Sequence, residues 1–145
     1  MELLITMAIA SVLLTMSYQG FGAMQTAENL KSSTQQVAFA IEKARYYATS
    51  KGVVTTIKFS KHAYSVKAGS QTLTNSSYID AMSGTLGDVT VYSNTCGTLS
   101  FYVDGTPINS AGQPMSTDCV IKLSLGGGNK SINVQAGTGN VIYDK

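Results

Sequence analysis

The residues able to do chemistry in this 145-residue chain are few. It holds one histidine (His62), two cysteines (Cys96 and Cys119) and eight acids, with no paired-carboxylate motif. Catalysis needs a nucleophile, a base and a stabilising group that converge, and this set predicts no enzyme. Two thiols and one distant imidazole are too few ligands for a metal centre, so no metal and no cofactor is expected. Gly126-Gly127-Gly128-Asn129 has the glycines of a phosphate cradle but not its strand-loop-helix setting, and a hairpin turn explains it more simply. His62 reads as a solvated turn residue. The remaining candidate is Glu2, a lone acid at the head of a long uncharged run. A charge at the edge of a membrane helix is expensive, and it is usually kept because it has a partner.

The elements that must position these residues follow from a sharp division in composition. A net charge of +2 is too small to predict a polyanion partner, which needs clustered positive charge. Residues 3 to 27 carry no Asp, Glu, Lys, Arg or His, whereas the rest of the chain is made polar by hydroxyls and amides more than by charge. If helical, Leu3 to Met24 extends about 33 Å, enough to cross a hydrocarbon core of roughly 30 Å. A cleavable secretory signal is the competing reading, but such signals begin with Lys or Arg and end in a small-residue cleavage site. Here the early charge is acidic, and Ala8-Ile9-Ala10 lies inside the apolar run.

Beyond Gly20 and Gly22, which cost a helix up to about 1 kcal/mol each relative to Ala, the pattern becomes amphipathic. Leu30, Val37, Ile41, Ala44 and Ala48 recur at helical spacing, while Glu28, Lys31, Gln35, Glu42, Lys43 and Arg45 occupy other positions. Gly52 suits the position just past a helix end, and Lys51 complements the negative end of the dipole. One helix over residues 2 to 51 is predicted. No heptad pattern is sustained, which argues against a coiled coil.

From Val53 the period changes to two. Val53, Thr55, Ile57 and Phe59 alternate with Val54, Thr56, Lys58 and Ser60, and Lys61-His62 turns the chain back into Tyr64 and Val66. Further strands are predicted at 72–79, 88–92, 98–103, 119–125, 131–135 and 140–143. Turn signals fall at Gly84-Thr85-Leu86-Gly87, Asp104-Gly105, 126–129 and Gly137-Thr138-Gly139. About seven strands can close two layers over one core. The fold class is therefore α+β: a long N-terminal helix, membrane-spanning and then amphipathic, packed on a C-terminal antiparallel β-sandwich-like head. The divisions are 1–24 (transmembrane and assembly helix), 25–51 (helix packed on the head) and 53–145 (head).

Glu2-Leu3-Leu4-Ile5-Thr6-Met7-Ala8-Ile9-Ala10 resembles the N-terminus of type IV pilins and type II secretion pseudopilins, whose mature chains begin Phe-Thr-Leu-(Ile or Met)-Glu-Leu-Leu. Met1 then takes the fourth position. The resemblance implies that Phe-Thr-Leu and a short basic leader ending in Gly precede it, cut by the prepilin peptidase and followed by N-methylation. Three further stretches resemble the GspH/FimT group: residues 40–48 with the Ala44-Arg45 step, 99–105, and 131–141. The resemblance implies a pilin-like fold and a minor pilin or pseudopilin, placed at or near the tip of a type IV pilus or type II secretion pseudopilus, that helps initiate assembly. Glu2, Leu3, Leu4 and Ile5 would be the assembly residues. Glu2 would meet the N-terminal ammonium of a neighbouring subunit, a pairing that a low dielectric strengthens. The implied partners are other major and minor pilins or pseudopilins, the prepilin peptidase and the inner-membrane assembly platform. The implied location is the bacterial inner membrane, single pass with a periplasmic head, and then the filament. An anchored extracytoplasmic β-domain with another binding role is the alternative.

A chain exported in this way meets an oxidising compartment, where Cys96 and Cys119 are expected to join in a disulfide; two free buried thiols are the alternative. Closing that loop contributes about 3 kcal/mol and ties down residues 107–118, which lack apolar periodicity. Some FimT-like minor pilins are linked to DNA uptake through basic residues near the C-terminus. This chain has Asn140 and Tyr143 there, with Lys145 at the end; Lys58, Lys61 and Lys67 are the other cations able to meet a phosphate backbone. Such contact would be weak and salt-sensitive.

Overall fold

The computed structural model describes residues 2–69 and 79–144, with side chains described outside residues 2–4, 13–21 and 79–82. One unbroken helix, α1, runs from Glu2 to Lys51, and neither Gly20 nor Gly22 interrupts it. At 1.5 Å per residue it is about 75 Å long. Its C-terminus closes as the sequence predicts: Gly52 takes a φ of 63°, and the Val53 N–H donates to the Ala48 carbonyl at 3.2 Å, the long bond of a Schellman cap.

Nine strands follow: β1 (Val54–Ser60), β2 (Ala63–Gly69), β3 (Ile79–Thr85), β4 (Thr90–Asn94), β5 (Thr98–Phe101), β6 (Pro107–Ile108), β7 (Cys119–Leu125), β8 (Gly128–Val134) and β9 (Val141–Tyr143). They form two sheets, β3-β2-β1-β5-β6 and β4-β7-β8-β9, and every pairing is antiparallel. Both sheets lie on α1, which touches β1, β2 and β5 of the first and β7, β8 and β9 of the second. The two layers of the sequence reading therefore share one helix as their common packing partner.

The buried stripe of that helix is the predicted one. Leu30, Val37, Ile41, Ala44 and Ala48 are all buried, joined by Thr34, Ala38 and Ala40, and they meet Ile57, Val66, Leu99, Phe101, Ile121, Leu123, Ile132 and Val134 in one core. Alternation puts Thr55 and Ile57 inward and Lys58 outward on β1. The buried hydroxyls of Thr34, Thr55 and Ser100 are satisfied, whereas Asn133 Oδ1 is buried without a partner among the described residues. Thr55 Oγ1 donates to the Ala44 carbonyl at 3.0 Å, tying strand to helix; Thr34 Oγ1 donates to the Leu30 carbonyl at 2.7 Å; and Ser100 pairs with Thr56 at 3.1 Å.

Several boundaries differ from the sequence reading, each for a local reason. Gly84 and Thr85, expected in a turn, are the last residues of β3, opposite Tyr64 and Ala63. The Tyr64 ring lies across Gly84 so closely that a Cβ there would stand 2.5 Å from it. Gly84 is thus a packing requirement within a strand, and the chain turns at Gly87-Asp88 instead. The turn expected over 126–129 is tighter. Gly126 and Gly127 alone form it, with φ of 56° and 85°, the pair of positive φ angles of a type I′ two-residue hairpin; Gly128 and Asn129 already pair within β8. The strand expected over 98–103 stops at Phe101, because residues 102–106 form a turn closed by the Tyr102 N–H bond to the Thr106 carbonyl at 2.9 Å. Part of the 107–118 excursion is ordered by pairing: β6 joins β5, and Ile108 bridges Pro114. The strand expected over 72–79 lies outside the described residues except for Ile79.

Candidate assembly surface

The helix divides into a half that the head covers and a half whose described side chains are exposed. Leu30 is the first buried residue among those described, and residues 2–21 of the helix extend about 30 Å. On the projecting half, Ile5 is 60% exposed, Met7 70%, Ile9 56% and Val12 54%. At about 100° per residue Ile5, Ile9 and Val12 share one stripe and Met7 stands on the opposite side, so apolar side chains are exposed on both faces of this stretch. A helix that is apolar all round is stable when buried in lipid or among other helices. Among the described residues no helical stretch is long and apolar enough to cross a membrane; the expected span over 3–24 includes 13–21, whose side chains lie outside the description. Glu2, Leu3 and Leu4 stand in the first turn of α1, and their side chains also lie outside it.

Cys96 and Cys119 are joined in a disulfide, their Cα atoms 5.4 Å apart. Cys96 sits in the turn between β4 and β5, where the chain leaves the second sheet for the first, and Cys119 begins β7. The crossing point is further fixed by side chains. Asn94 Oδ1 accepts the Cys96 N–H at 3.1 Å, Asn94 Nδ2 donates to the Gly97 carbonyl at 2.8 Å, and the Val120 N–H donates to Thr95 Oγ1 at 2.9 Å. The disulfide therefore pins the crossover to the sheet it has just left.

His62 stands exposed in the β1–β2 turn, as expected, and the structure adds a role. Its Nδ1 lies 3.1 Å from the Val89 carbonyl, which can only accept, so the ring donates from Nδ1. With the Leu86 N–H bonded to the His62 carbonyl at 2.9 Å, the turn is tied to the segment entering β4. Lys58 and Lys67 lie on the outer face of the β1–β2 pair as diagonal neighbours, since Thr56 faces Lys67 and Lys58 faces Ser65. Lys61 is exposed in the turn beyond them, and Lys67 is half-buried with Asp80 as its cross-strand neighbour. Lys145 lies outside the described residues. No group of three metal-ligating side chains comes together among the described residues.

Sequence reasoning gave no role to the surroundings of Arg45, the only arginine in the chain. Its stem lies over the 102–106 turn and the turn before β9, so close that a Cβ on Gly105 or Gly139 would come within 3.3 Å of it. Asp104, in the first of these turns, accepts the Thr106 N–H at 2.8 Å. That bond and the Thr106 hydroxyl hold its carboxyl below the usual Asp range. Arg45 also lines a cleft of about 430 Å³ with Glu42, Tyr46, Thr49, Asn140 and Val141. The available signal was its uniqueness: every other cation here is Lys, and Arg is favoured where a planar fork of donors is used.

No family model and no curated protein significantly matches the sequence. Two solved structures match the fold, both of the type IV minor pilin FimU from Pseudomonas aeruginosa in different crystal forms. The first is 14% identical with a TM-score of 0.63, covering 82% of this chain and 90% of FimU. The second is 15% identical with a TM-score of 0.61, covering 80% and 93%. At this identity the likeness is one of fold. It agrees with the resemblance to the GspH/FimT group read from the sequence: the chain has a pilin-like α+β fold, a long N-terminal helix packed on antiparallel sheets.

Proposed function

We propose that the chain is a minor pilin-type subunit of a type IV filament. It is held in the inner membrane by the first half of α1 and then drawn into the filament, where that half exchanges lipid for neighbouring helices. The observation that carries this reading is a helix covered by the head from Leu30 onward and exposed on every described apolar residue from Ile5 to Val12. Such a surface is incompatible with a free aqueous monomer, since each buried Ile or Met side chain contributes about 1.5–3 kcal/mol. The fold likeness to a type IV minor pilin favours a pilus over a secretion pseudopilus, which uses a similar anchor. The family resemblance supports a place at or near the tip, a role in initiating assembly, processing by the prepilin peptidase and docking on the assembly platform. On this reading the protein is structural and performs no catalysis.

Glu2 is the position to test. In an apolar bundle its carboxylate needs an opposite charge, and a neighbour's ammonium supplies one and sets the axial register. Glu2→Ala in the native host, in the complete gene product, is expected to remove the subunit from sheared filaments while the membrane fraction retains it with its disulfide formed. Recovery of the variant in filaments at the parental level would overturn the role of Glu2.

A further inference from the structure

Arg45 is half-buried, and its stem is held over the two turns that contain Gly105 and Gly139. Among the described residues its guanidinium has no hydrogen-bond or ion-pair partner. Glu42 lies three residues earlier on the same helix and lines the same cleft, yet it does not pair with Arg45. Across the cleft stands Asn140. Its backbone is engaged, with the N–H on Thr138 Oγ1 at 3.2 Å and the carbonyl accepting the Gln135 N–H at 2.9 Å, while its side-chain amide has no partner among the described residues. Thr49 Oγ1 spends its proton on the Tyr46 carbonyl at 2.9 Å and has no proton left for a ligand. The side-chain donors among the lining residues are the Arg45 guanidinium, the Asn140 primary amide and the Tyr46 hydroxyl, and the Tyr46 ring and Val141 supply apolar wall.

We propose that this cleft is a carboxylate-binding site, in which the Arg45 guanidinium holds the anion by its fork and the Asn140 Nδ2–H donates from the opposite side. A fork of parallel N–H groups matches a carboxylate in geometry and charge. The site favours a single negative charge: Glu42 on its rim repels a second one, which disfavours a phosphate dianion. Tyr46, 69% exposed beside the cleft, gives the stem of an acidic side chain an aromatic surface to lie on, and Tyr and Arg are the residue types that dominate protein interfaces. The carboxylate comes from an Asp or Glu of a neighbouring subunit. That source rests on the filament reading; the site itself does not.

The test uses the full ¹⁵N-labelled chain in detergent micelles. Because Arg45 is the only arginine, its Nε–H gives one unambiguous resonance, and the Asn140 side-chain amide is a second reporter. Acetate, phosphate and chloride are titrated at constant ionic strength and neutral pH. Acetate is expected to shift both reporters along one saturable curve with half-saturation on the order of 10 mM, while chloride gives only a linear drift. Asn140→Ala should weaken acetate about fivefold, and Glu42→Gln should tighten it about two- to fivefold. Phosphate binding tighter than acetate would overturn the carboxylate assignment. A response to acetate no different from that to chloride, or an unchanged Asn140 response in Arg45→Lys, would overturn the site. An Arg45→Lys chain that enters filaments as well as its parent would overturn the neighbouring subunit as the source and leave the site to stand on the titration.

Discussion

Ile41 and Phe39 lie two residues apart on α1 and face opposite ways: Ile41 is 0% exposed and Phe39 63%. Replacing each with Ala removes apolar carbon of comparable kind, so the difference between the variants isolates what the head covers. Ile41→Ala removes three carbons, worth about 2.4 kcal/mol at 0.8 kcal/mol each. The cavity left where both sheets meet the helix raises the loss to about 3–4 kcal/mol. Phe39→Ala removes more carbon but from solvent, and it should change stability by no more than about 0.5 kcal/mol. Against a domain stability of roughly 5–15 kcal/mol, the first change is severe and the second negligible. The assay is urea unfolding of the full chain in micelles, followed by near-ultraviolet circular dichroism of its eight tyrosines. With a slope of about 1.5 kcal/mol per molar, Ile41→Ala should lower the midpoint by about 2 M. A shift below about 0.5 M, or an equal shift for Phe39→Ala, would refute the packing of α1 described above.

Other consequences can be checked in the same way. Reducing the disulfide, or replacing Cys96 and Cys119 together with Ser, should cost about 3 kcal/mol through the freed loop, read as a lower urea midpoint with an unchanged far-ultraviolet spectrum. Asp104 should titrate below the ordinary Asp value in a carboxyl ¹³C experiment, because the Thr106 N–H and hydroxyl bond to its charged form. Since its folded pKa is the lower one, its contribution to stability is complete above the unfolded value and is lost as pH falls through the folded one; Asp104→Asn should flatten that acid-side slope.

The second half of α1 was legible because its apolar residues keep a 3.6-residue period over five turns, and one helix face can be buried in only one way. The strands from Val54 and from Cys119 were legible because alternation over seven residues has no helical counterpart. What escaped was set by contacts distant in sequence. Gly84 carries the local signal of a turn, yet its place in β3 is decided by the ring of Tyr64, twenty residues earlier. β6 is two residues long and shows no period at all; its pairing with β5 follows from the 102–106 turn. The cleft at Arg45 joins a helix residue to a turn before the last strand, a juxtaposition no local pattern contains. The apolar first half announced its need for burial, but the nature of its partner is chemistry that a single chain does not display.

One helix serving both sheets also fixes how the head answers a mechanical load. A pull along α1 acts parallel to the interface formed between Leu30 and Ala48, about 27 Å long, and so loads it in shear. Contacts loaded this way yield together, whereas contacts peeled from one end yield in turn. Neither sheet can part from the shaft without exposing core that the other sheet shares. The head is thereby strongest along the axis of its own helix and weakest when pried sideways, the anisotropy that the proposed extraction by its stem would require.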